Sequence, residues 1–215
     1  MVLKIDTRNI KVEEEEKEKS TGTIWLERKS FRITLISTFT ALSVVLGYML
    51  VYLPNIELIT LMIFLSGFIL GKRDGAIVGA FSSFIFVFFN PYGVSPLPLF
   101  AYQIGHYCLV GILGGITSNY LNKKDFFKPE EDLYVSRVLV FFAIIGAVIT
   151  FVYDIFSTLI GAIAIFGTLE TFWITYIIGL PFTTIHLIGN TLGFIFILPG
   201  LIQLLYKMLD LSEEQ

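Results

Sequence analysis

The sequence predicts an all-α membrane protein with six transmembrane helices and both termini in the cytoplasm. Of its 215 residues, 55% are hydrophobic and only 15% are charged, and the mean hydropathy is +0.77. These values lie far from those of an ordinary soluble domain. Apolar segments alternate with short polar connections, and the positive charges occupy every second connection. The chain is therefore expected to cross the lipid bilayer repeatedly.

The 15 Lys and Arg residues all fall on one side of the apolar segments. Cytoplasmic connections of membrane proteins carry an excess of these residues, so the asymmetry predicts cytoplasmic termini (N-in, C-in). Eight cations precede the first segment, and the others follow the second, fourth and sixth segments at Lys72, Arg73, Lys123, Lys124, Lys128, Arg137 and Lys207.

The composition also excludes several classes of function. A formal net charge of −3 offers no basic surface for nucleic acid. The single cysteine, Cys108, allows neither an internal disulfide nor a thiolate metal cluster, so no metal site and no cofactor are expected. No phosphate-binding GxxxxGK[ST] motif occurs, so ATP hydrolysis would have to come from a partner.

The first three spans are predicted at 33–53, 58–70 and 76–89. Pro54 ends the first span at the outer face, and a charged turn from Gly71 to Gly75 joins the second to the third. Asn90, Pro91, Tyr92 and Gly93 end the third span, because proline and glycine there oppose a helix.

The remaining spans are predicted at 97–119, 137–166 and 172–206. A polar inner loop, 122–136, separates the fourth from the fifth. We expect the sixth span to break at Gly179 and Pro181, because proline removes a backbone donor. Around this transmembrane domain, 31–208, the sequence predicts a disordered cytoplasmic tail at 1–30 and a second tail at 209–215.

The second and third spans are shorter than the ~20 residues that a perpendicular helix needs to cross the hydrocarbon. Two interpretations are open. The spans are short helices in a sheltered region, or they form a re-entrant hairpin that does not reach the inner face. Lys72, Arg73 and Asp74 at the turn favour a full crossing, because charges are costly in hydrocarbon.

Polar side chains gather at one depth of the predicted bundle. At about 1.5 Å per residue, Asp154 lies about 25 Å from Arg137, in the outer part of the bilayer. By the same rise, His186 lies about 30 Å from Tyr206, with Asn190 one turn below it. Such groups inside spans usually face a protein interior or a cavity. We therefore predict a substrate site that opens outward.

Other segments bring polar groups to the same level from the outer face. They contribute Asn55, Glu57, Asn90, Tyr92 and Gln103, with His106 and Tyr107 nearby. Structural roles are open for each of these residues: hydrogen bonds between helices, a helix N-terminus for Asn55 and Glu57, and a turn for Asn90 and Tyr92. The predicted substrate-binding set is Asp154, His186, Asn190, Gln103, Glu57, Asn55, Asn90 and Tyr92.

Small residues in the first span are spaced by four. Ser37 with Ala41, and Ser43 with Gly47, would let another helix approach closely. The spacing is compatible with docking of a partner subunit and with packing inside the chain.

Four stretches together resemble the substrate-binding S component of energy-coupling factor (ECF) transporters. They are PNIELIT from Pro54, NPYG from Asn90 followed by PLPLFAYQIG, YDIFSTLIGA from Tyr153, and GLPFTTIHLIGN from Gly179. The resemblance covers about 31–208.

This resemblance implies a vitamin or vitamin-precursor binder in the plasma membrane of a prokaryote. Its partners would be a transmembrane coupling subunit, reached through the first helices, and two cytoplasmic ATPase subunits. The loops 53–57 and 90–96 would cover the substrate. The resemblance also implies that the protein reorients in the membrane to release it.

The residues themselves support a mechanism in which Asp154 and Glu57 accept donor groups of a solute. Asn190, Gln103 and Asn90 would bind its polar edges, and Tyr92, Tyr107 or Trp173 would stack on a ring. Two other functions are open. One is a membrane-embedded enzyme that uses Asp154 and His186 on a lipid or isoprenoid, and the other is a stand-alone solute facilitator.

Overall fold

The computed structural model describes residues 28–209, and every regular element in that range is an α-helix. Residues 1–27 and 210–215, which hold most of the two predicted tails, lie outside the described residues. The prediction of an all-helical chain is confirmed for the described range. Its helices, numbered in chain order, are α1 (Lys29–Leu50), α2 (Ile59–Leu70), α3 (Lys72–Phe88), α4 (Leu97–Leu121), α5 (Ser136–Phe166), α6 (Glu170–Phe196) and α7 (Leu198–Leu209).

Four helical stretches within 28–209 are long and apolar enough to cross a membrane. They are α1, α4, α5 and the combined length of α6 and α7. Helix α2 is apolar but has only 12 residues, and α3 has 17. At about 1.5 Å per residue, α2 is about 18 Å long, so it is shorter than the hydrocarbon core.

The predicted charged turn between the second and third spans is wrong in extent. Helix α3 already begins at Lys72, because Gly71 alone reverses the chain with a φ of +90°, a conformation that glycine adopts without strain. Asp74 therefore lies in the first turn of a helix, where it is buried and bonded to Arg32.

The predicted break at Gly179 and Pro181 is also wrong. Helix α6 continues through Pro181, and the interruption falls at Ile197, just before Pro199. Pro181 lies on an exposed side of the helix, and membrane helices tolerate such prolines. Pro199 occupies the second position of α7, where a missing N–H breaks no helical hydrogen bond. At this junction the Tyr134 hydroxyl donates to the Phe196 carbonyl at 2.8 Å.

Helix α2 is the centre of the bundle. Every residue from Ile59 to Phe68 is buried, and the helix contacts α1, α3, α4, α6 and α7. A helix that is apolar on all sides is stable only when other helices surround it. Its short length fits the sheltered environment that the sequence left as one of two interpretations.

Glycines let α2, α3 and α4 approach one another at backbone contact. A Cβ at Gly67 would overlap the carbonyl oxygen of Gly111, and a Cβ at Gly111 would overlap that of Gly75. The same restriction holds at Gly79, facing the Tyr107 carbonyl, and at Gly114, facing the Phe64 carbonyl. Small residues at helix interfaces permit such approach in membranes. The glycines thus let α3 and α4 pack closely around α2.

Helix α1 is attached to the outside of this core. Its buried residues are Phe39, Ser43 and Gly47, and a Cβ at Gly47 would lie 2.9 Å from the Phe86 ring of α3. Ser43 and Gly47 are thus packed inside the chain, so they are not exposed for the docking that the sequence analysis predicted. Ser37 and Ala41 are exposed.

Replacing Gly111 with alanine is expected to destabilise the protein. The added methyl group would collide with the backbone of α3, and overpacking of this kind costs roughly 1–3 kcal/mol. Thermal unfolding of the purified chain in detergent measures the loss. Gly105→Ala is the matched control, because a Cβ at this glycine of the same helix would meet no neighbouring atom within 4 Å. Equal melting temperatures for the two variants would contradict the proposed backbone contact.

Candidate functional site

Helices α5 and α6 run antiparallel and match their residues turn by turn. A Cβ at Gly146 would touch the Phe194 ring, the Thr150 hydroxyl accepts from Asn190 Nδ2 at 3.0 Å, and His186 Nδ1 lies 2.8 Å from Asp154 Oδ1. Each step moves four residues along both helices, so the three contacts follow one face of each. The ladder therefore begins in the apolar core and ends in a buried acid–imidazole pair.

Glu57 joins the loop before α2 to this ladder. Its carboxylate accepts the Thr60 backbone N–H at 2.9 Å and the Thr60 hydroxyl, which satisfies donors at the start of α2. It also accepts from Asn190 Nδ2 at 2.9 Å and lies 3.4 Å from His186 Nε2. We call Glu57, Thr60, Thr150, Asp154, His186 and Asn190 the buried polar cluster.

His186 lies between two carboxylates, with Asp154 facing one ring nitrogen and Glu57 the other. All three side chains are at most 15% exposed. A buried carboxylate requires a partner, and the imidazole serves both. In the described residues no group of three or more His, Cys, Asp and Glu is arranged to hold a metal ion. The arrangement is suited to hydrogen bonding between helices and with a ligand.

An aromatic wall of four rings borders the buried polar cluster. Tyr153 follows Thr150 on α5, and it contacts Tyr102, His106 and Tyr107 of α4 with ring centroids 5.0–6.2 Å apart. The ring of His186 meets the Tyr153 ring edge to face at 5.9 Å. The Gln103 amide donates to the Tyr153 hydroxyl at 3.0 Å. Aromatic faces and polar groups thus occupy the same region between α4, α5 and α6.

Three buried polar atoms in this region have no hydrogen-bond partner among the described residues. They are Gln103 Oε1, His106 Nε2 and Asp154 Oδ2. Leaving such atoms unsatisfied is costly, so most buried polar groups in proteins are paired with protein atoms, water or a ligand. Two of the three are oxygens. The Gln103 oxygen and the oxygen of an ionised Asp154 accept hydrogen bonds and cannot donate them, so they suit a ligand that carries N–H or O–H groups.

The structure brings together five of the eight predicted substrate-binding residues. Glu57, Asp154, His186 and Asn190 belong to the buried polar cluster, and Gln103 borders it through Tyr153. Thr60, Thr150 and Tyr153 are additional partners that the sequence analysis did not select. Thr150 could have been found, because it lies one helical turn before Asp154.

The other three predicted residues lie outside the buried polar cluster. Asn55, with a φ of +56°, donates from its amide to the Phe182 carbonyl of α6 at 3.1 Å. Asn90 accepts the Tyr92 backbone N–H at 2.9 Å, which is a turn interaction, and Tyr92 is 71% exposed. Trp173, predicted to stack on a ligand, is exposed and contacts Phe172. The described contacts do not connect Asn90, Tyr92 or Trp173 to the buried polar cluster.

Comparison with known protein families identifies the chain. The family model described as "ECF-type riboflavin transporter, S component" matches residues 29–206. The chain belongs to this family. The resemblance predicted from the sequence is thus confirmed, and the protein is a vitamin-binding subunit of a membrane transporter. Comparisons with curated proteins and with solved structures gave no match.

Replacing His186 with alanine is expected to destabilise this S component strongly. It would leave the Asp154 and Glu57 carboxylates without their shared partner, and breaking a buried ion pair typically costs roughly 3–5 kcal/mol. Unfolding of the detergent-solubilised protein, followed by loss of helical circular dichroism, measures the effect. Thr184→Ala is the control, because that exposed hydroxyl bonds only within its own helix turn. A His186→Ala protein as stable as the control would show that the imidazole does not hold the carboxylates.

Proposed function

We propose that this chain captures riboflavin from outside the cell as the substrate-binding subunit of an ATP-driven ECF importer. The observation that carries the proposal is the group of unpartnered buried atoms beside the aromatic wall, in a chain that belongs to a riboflavin transporter family. Substrate pockets typically combine apolar and aromatic walls with a few polar atoms that orient the ligand.

The chemistry of a flavin matches these two features. Its tricyclic ring is flat and offers large faces to Tyr102, Tyr153 or His106, while its imide N–H and ribityl hydroxyl groups are donors. Asp154 Oδ2 and Gln103 Oε1 are the acceptors available for such donors. Glu57 and Asn190, in contrast, are engaged with other side chains. We therefore assign ligand contact to Asp154, Gln103 and His106, and positioning to Glu57, His186 and Asn190.

The loop between α1 and α2 is proposed to cover this site. Two of its residues hold it on α6, Asn55 through the Phe182 carbonyl and Glu57 through Asn190 and His186. These bonds hold the loop against the stretch of α6 from Phe182 to Asn190, which carries the His186 and Asn190 side chains of the buried polar cluster. Asn90 and Tyr92, in the loop between α3 and α4, are proposed to contribute to the cover from the other side.

The proposed topology has six spans within residues 31–208 and both termini in the cytoplasm of a prokaryotic cell. Its support is the distribution of charge, because Lys72, Arg73, Lys123, Lys124, Arg137 and Lys207 all lie at helix ends or connections of one side. In this arrangement α2 and α3 are crossing helices, with α2 sheltered by five neighbours. The buried polar cluster then lies in the outer half of the bilayer.

The proposed partners are a transmembrane coupling subunit and two ATPase subunits. The exposed small residues Ser37 and Ala41 on α1 form the proposed docking surface. An enzyme reaction on a lipid is less well supported. Although Asp154 and His186 are paired as that hypothesis requires, the second ring nitrogen of His186 faces Glu57, and the family is one of transporters.

Substitutions of the free acceptors should weaken riboflavin binding. Asp154→Asn and Gln103→Leu each remove one proposed hydrogen bond to the vitamin, and bonds to charged groups contribute about 1.5–3 kcal/mol, or about 10–100-fold in affinity for the aspartate. Quenching of riboflavin fluorescence by the purified chain measures the dissociation constant. Gln203→Ala is the control, since this amide bonds to the Glu131 carbonyl in the loop between α4 and α5. Affinities that equal that of the control in both variants would contradict the proposed site.

Transport should require the partner subunits. Proteoliposomes that contain only this chain are expected to bind riboflavin without concentrating it, because binding alone supplies no free energy for accumulation. Adding a coupling subunit and two ATPases with ATP should produce uptake, whereas a non-hydrolysable ATP analogue should not. Flux through the chain alone would instead support the stand-alone facilitator.

A further inference from the structure

The inner end of α1 is joined to α3 by one ion pair with an unusual distribution of burial. Arg32 donates from Nε and Nη2 to the same oxygen of Asp74, Oδ2, at 2.9 and 2.6 Å. The Asp74 side chain is 6% exposed and that of Arg32 is 45% exposed. Asp74 lies in the first turn of α3, where the positive end of the helix dipole favours a carboxylate. The charge is thus anchored on α3, and Arg32 reaches to it from α1.

The ion pair lies on the same face of α1 as the buried residues of that helix. At about 100° per residue, Arg32, Phe39, Ser43 and Gly47 fall within an arc of about 80°. At the outer end of the helix, Tyr48 lies about 160° around the axis from Arg32, and its hydroxyl donates to the Ile85 carbonyl of α3 at 3.0 Å. Arg32 and Tyr48 therefore hold α1 to the same neighbour at its two ends.

In the middle of this contact, α1 is held by packing, with Phe39 buried in the core, rather than by hydrogen bonds to α3. Between the two ends, the hydroxyls of Thr40 on α1 and Ser82 on α3 are buried without a partner in the described part of the chain, and the Ser43 hydroxyl bonds within its own helix. These hydroxyls therefore add no directional hydrogen bond between α1 and α3. The side-chain hydrogen bonds that join α1 to α3 thus lie near the ends of α1, and the Arg32–Asp74 pair is the one that adds to packing at the inner end.

Ser37 and Ala41 lie on the opposite side of α1 from Arg32 and the buried residues of the helix. By the same helical geometry they are about 140° and 180° from Arg32. Any rotation that Arg32 permits would move both residues by the same angle. The direction in which the docking surface points thus depends on a charge pair that does not touch it.

We propose that Arg32 and Asp74 are positioning residues for docking, which orient the Ser37 and Ala41 surface of α1 toward the coupling subunit. This inference rests on the proposed function, because it assumes that α1 docks onto such a partner. It assigns the pair no role in vitamin binding, since the buried polar cluster is built from α2, α5 and α6 and the loop before α2.

Removing the pair should separate docking from vitamin binding. Arg32→Gln and Asp74→Asn in the full-length chain are expected to bind riboflavin within about twofold of the unaltered protein. Retention of the chain on a reconstituted coupling module should fall at least about tenfold. Lys72→Gln is the matched control, because it removes one exposed cation near Asp74 and is expected to retain both properties.

Two further variants test the charge pair itself. Arg32→Lys and the exchange Arg32→Asp with Asp74→Arg keep opposite charges at the two positions, and at least one is expected to regain docking to within about threefold. Three results would overturn the proposal. Docking could survive Arg32→Gln, it could be restored by neither of the two charge-retaining variants, or it could fall in parallel with riboflavin affinity. Absence of riboflavin binding in the unaltered chain would instead count against the proposed function.

A measurement without the partner subunits tests the positioning role separately from the proposed function. Labelling of Ala41→Cys, in a Cys108→Ser background, should change in rate when Arg32→Gln is added, because the helix face turns. An unchanged rate would contradict the positioning role even if the vitamin were not riboflavin.

Discussion

Backbone contact among α2, α3 and α4 is the constraint on which the rest of this structure depends. Glycines at the contact points bring the three helices closer than any side chain would allow. This closeness encloses a 12-residue helix that could not otherwise exist in a bilayer as an isolated span. It also places the start of α2, with Glu57 and Thr60, beside α6. The position of the site thus depends on the glycines that let α2, α3 and α4 pack at backbone contact.

Within the site, polar groups divide into those that hold helices together and those that remain available. Glu57, Asn190 and Thr150 have partners on neighbouring elements, and His186 connects two carboxylates. In an apolar environment each of these groups would be costly alone, so their mutual pairing makes the arrangement rigid. Asp154 and Gln103 are each held through one atom and have a second atom free. Such an arrangement can present acceptors to a ligand without a prior rearrangement of the helices.

Helix α1 has a different relation to the bundle. It contributes few buried residues, and its side-chain hydrogen bonds to α3 come from Arg32 and Tyr48, near its two ends. The buried polar cluster belongs to the other helices and the loop before α2, so the proposed docking through α1 would not disturb it. This separation is compatible with the proposal that vitamin binding and docking use different surfaces.

Composition, periodic apolar segments and one-sided charges are properties of the chain alone, and they were enough to predict an all-helical membrane protein. Family membership and the polar level around Asp154, His186 and Asn190 could also be predicted, since position along a helix sets depth. The course of α6 through Pro181 could not, because a proline is tolerated or not according to its neighbours.

Which polar residues meet also depended on tertiary packing. The rotation of each helix and the identity of its neighbours decide which side chains touch. Glu57 therefore lies beside His186, while Asn90 bonds to Tyr92 within one turn. For the same reason Ser43 and Gly47 faced inward and Ser37 and Ala41 outward, although all four show the same spacing along the chain. Spacing along one helix defines a face, but only the packing of the other helices decides whether that face is buried.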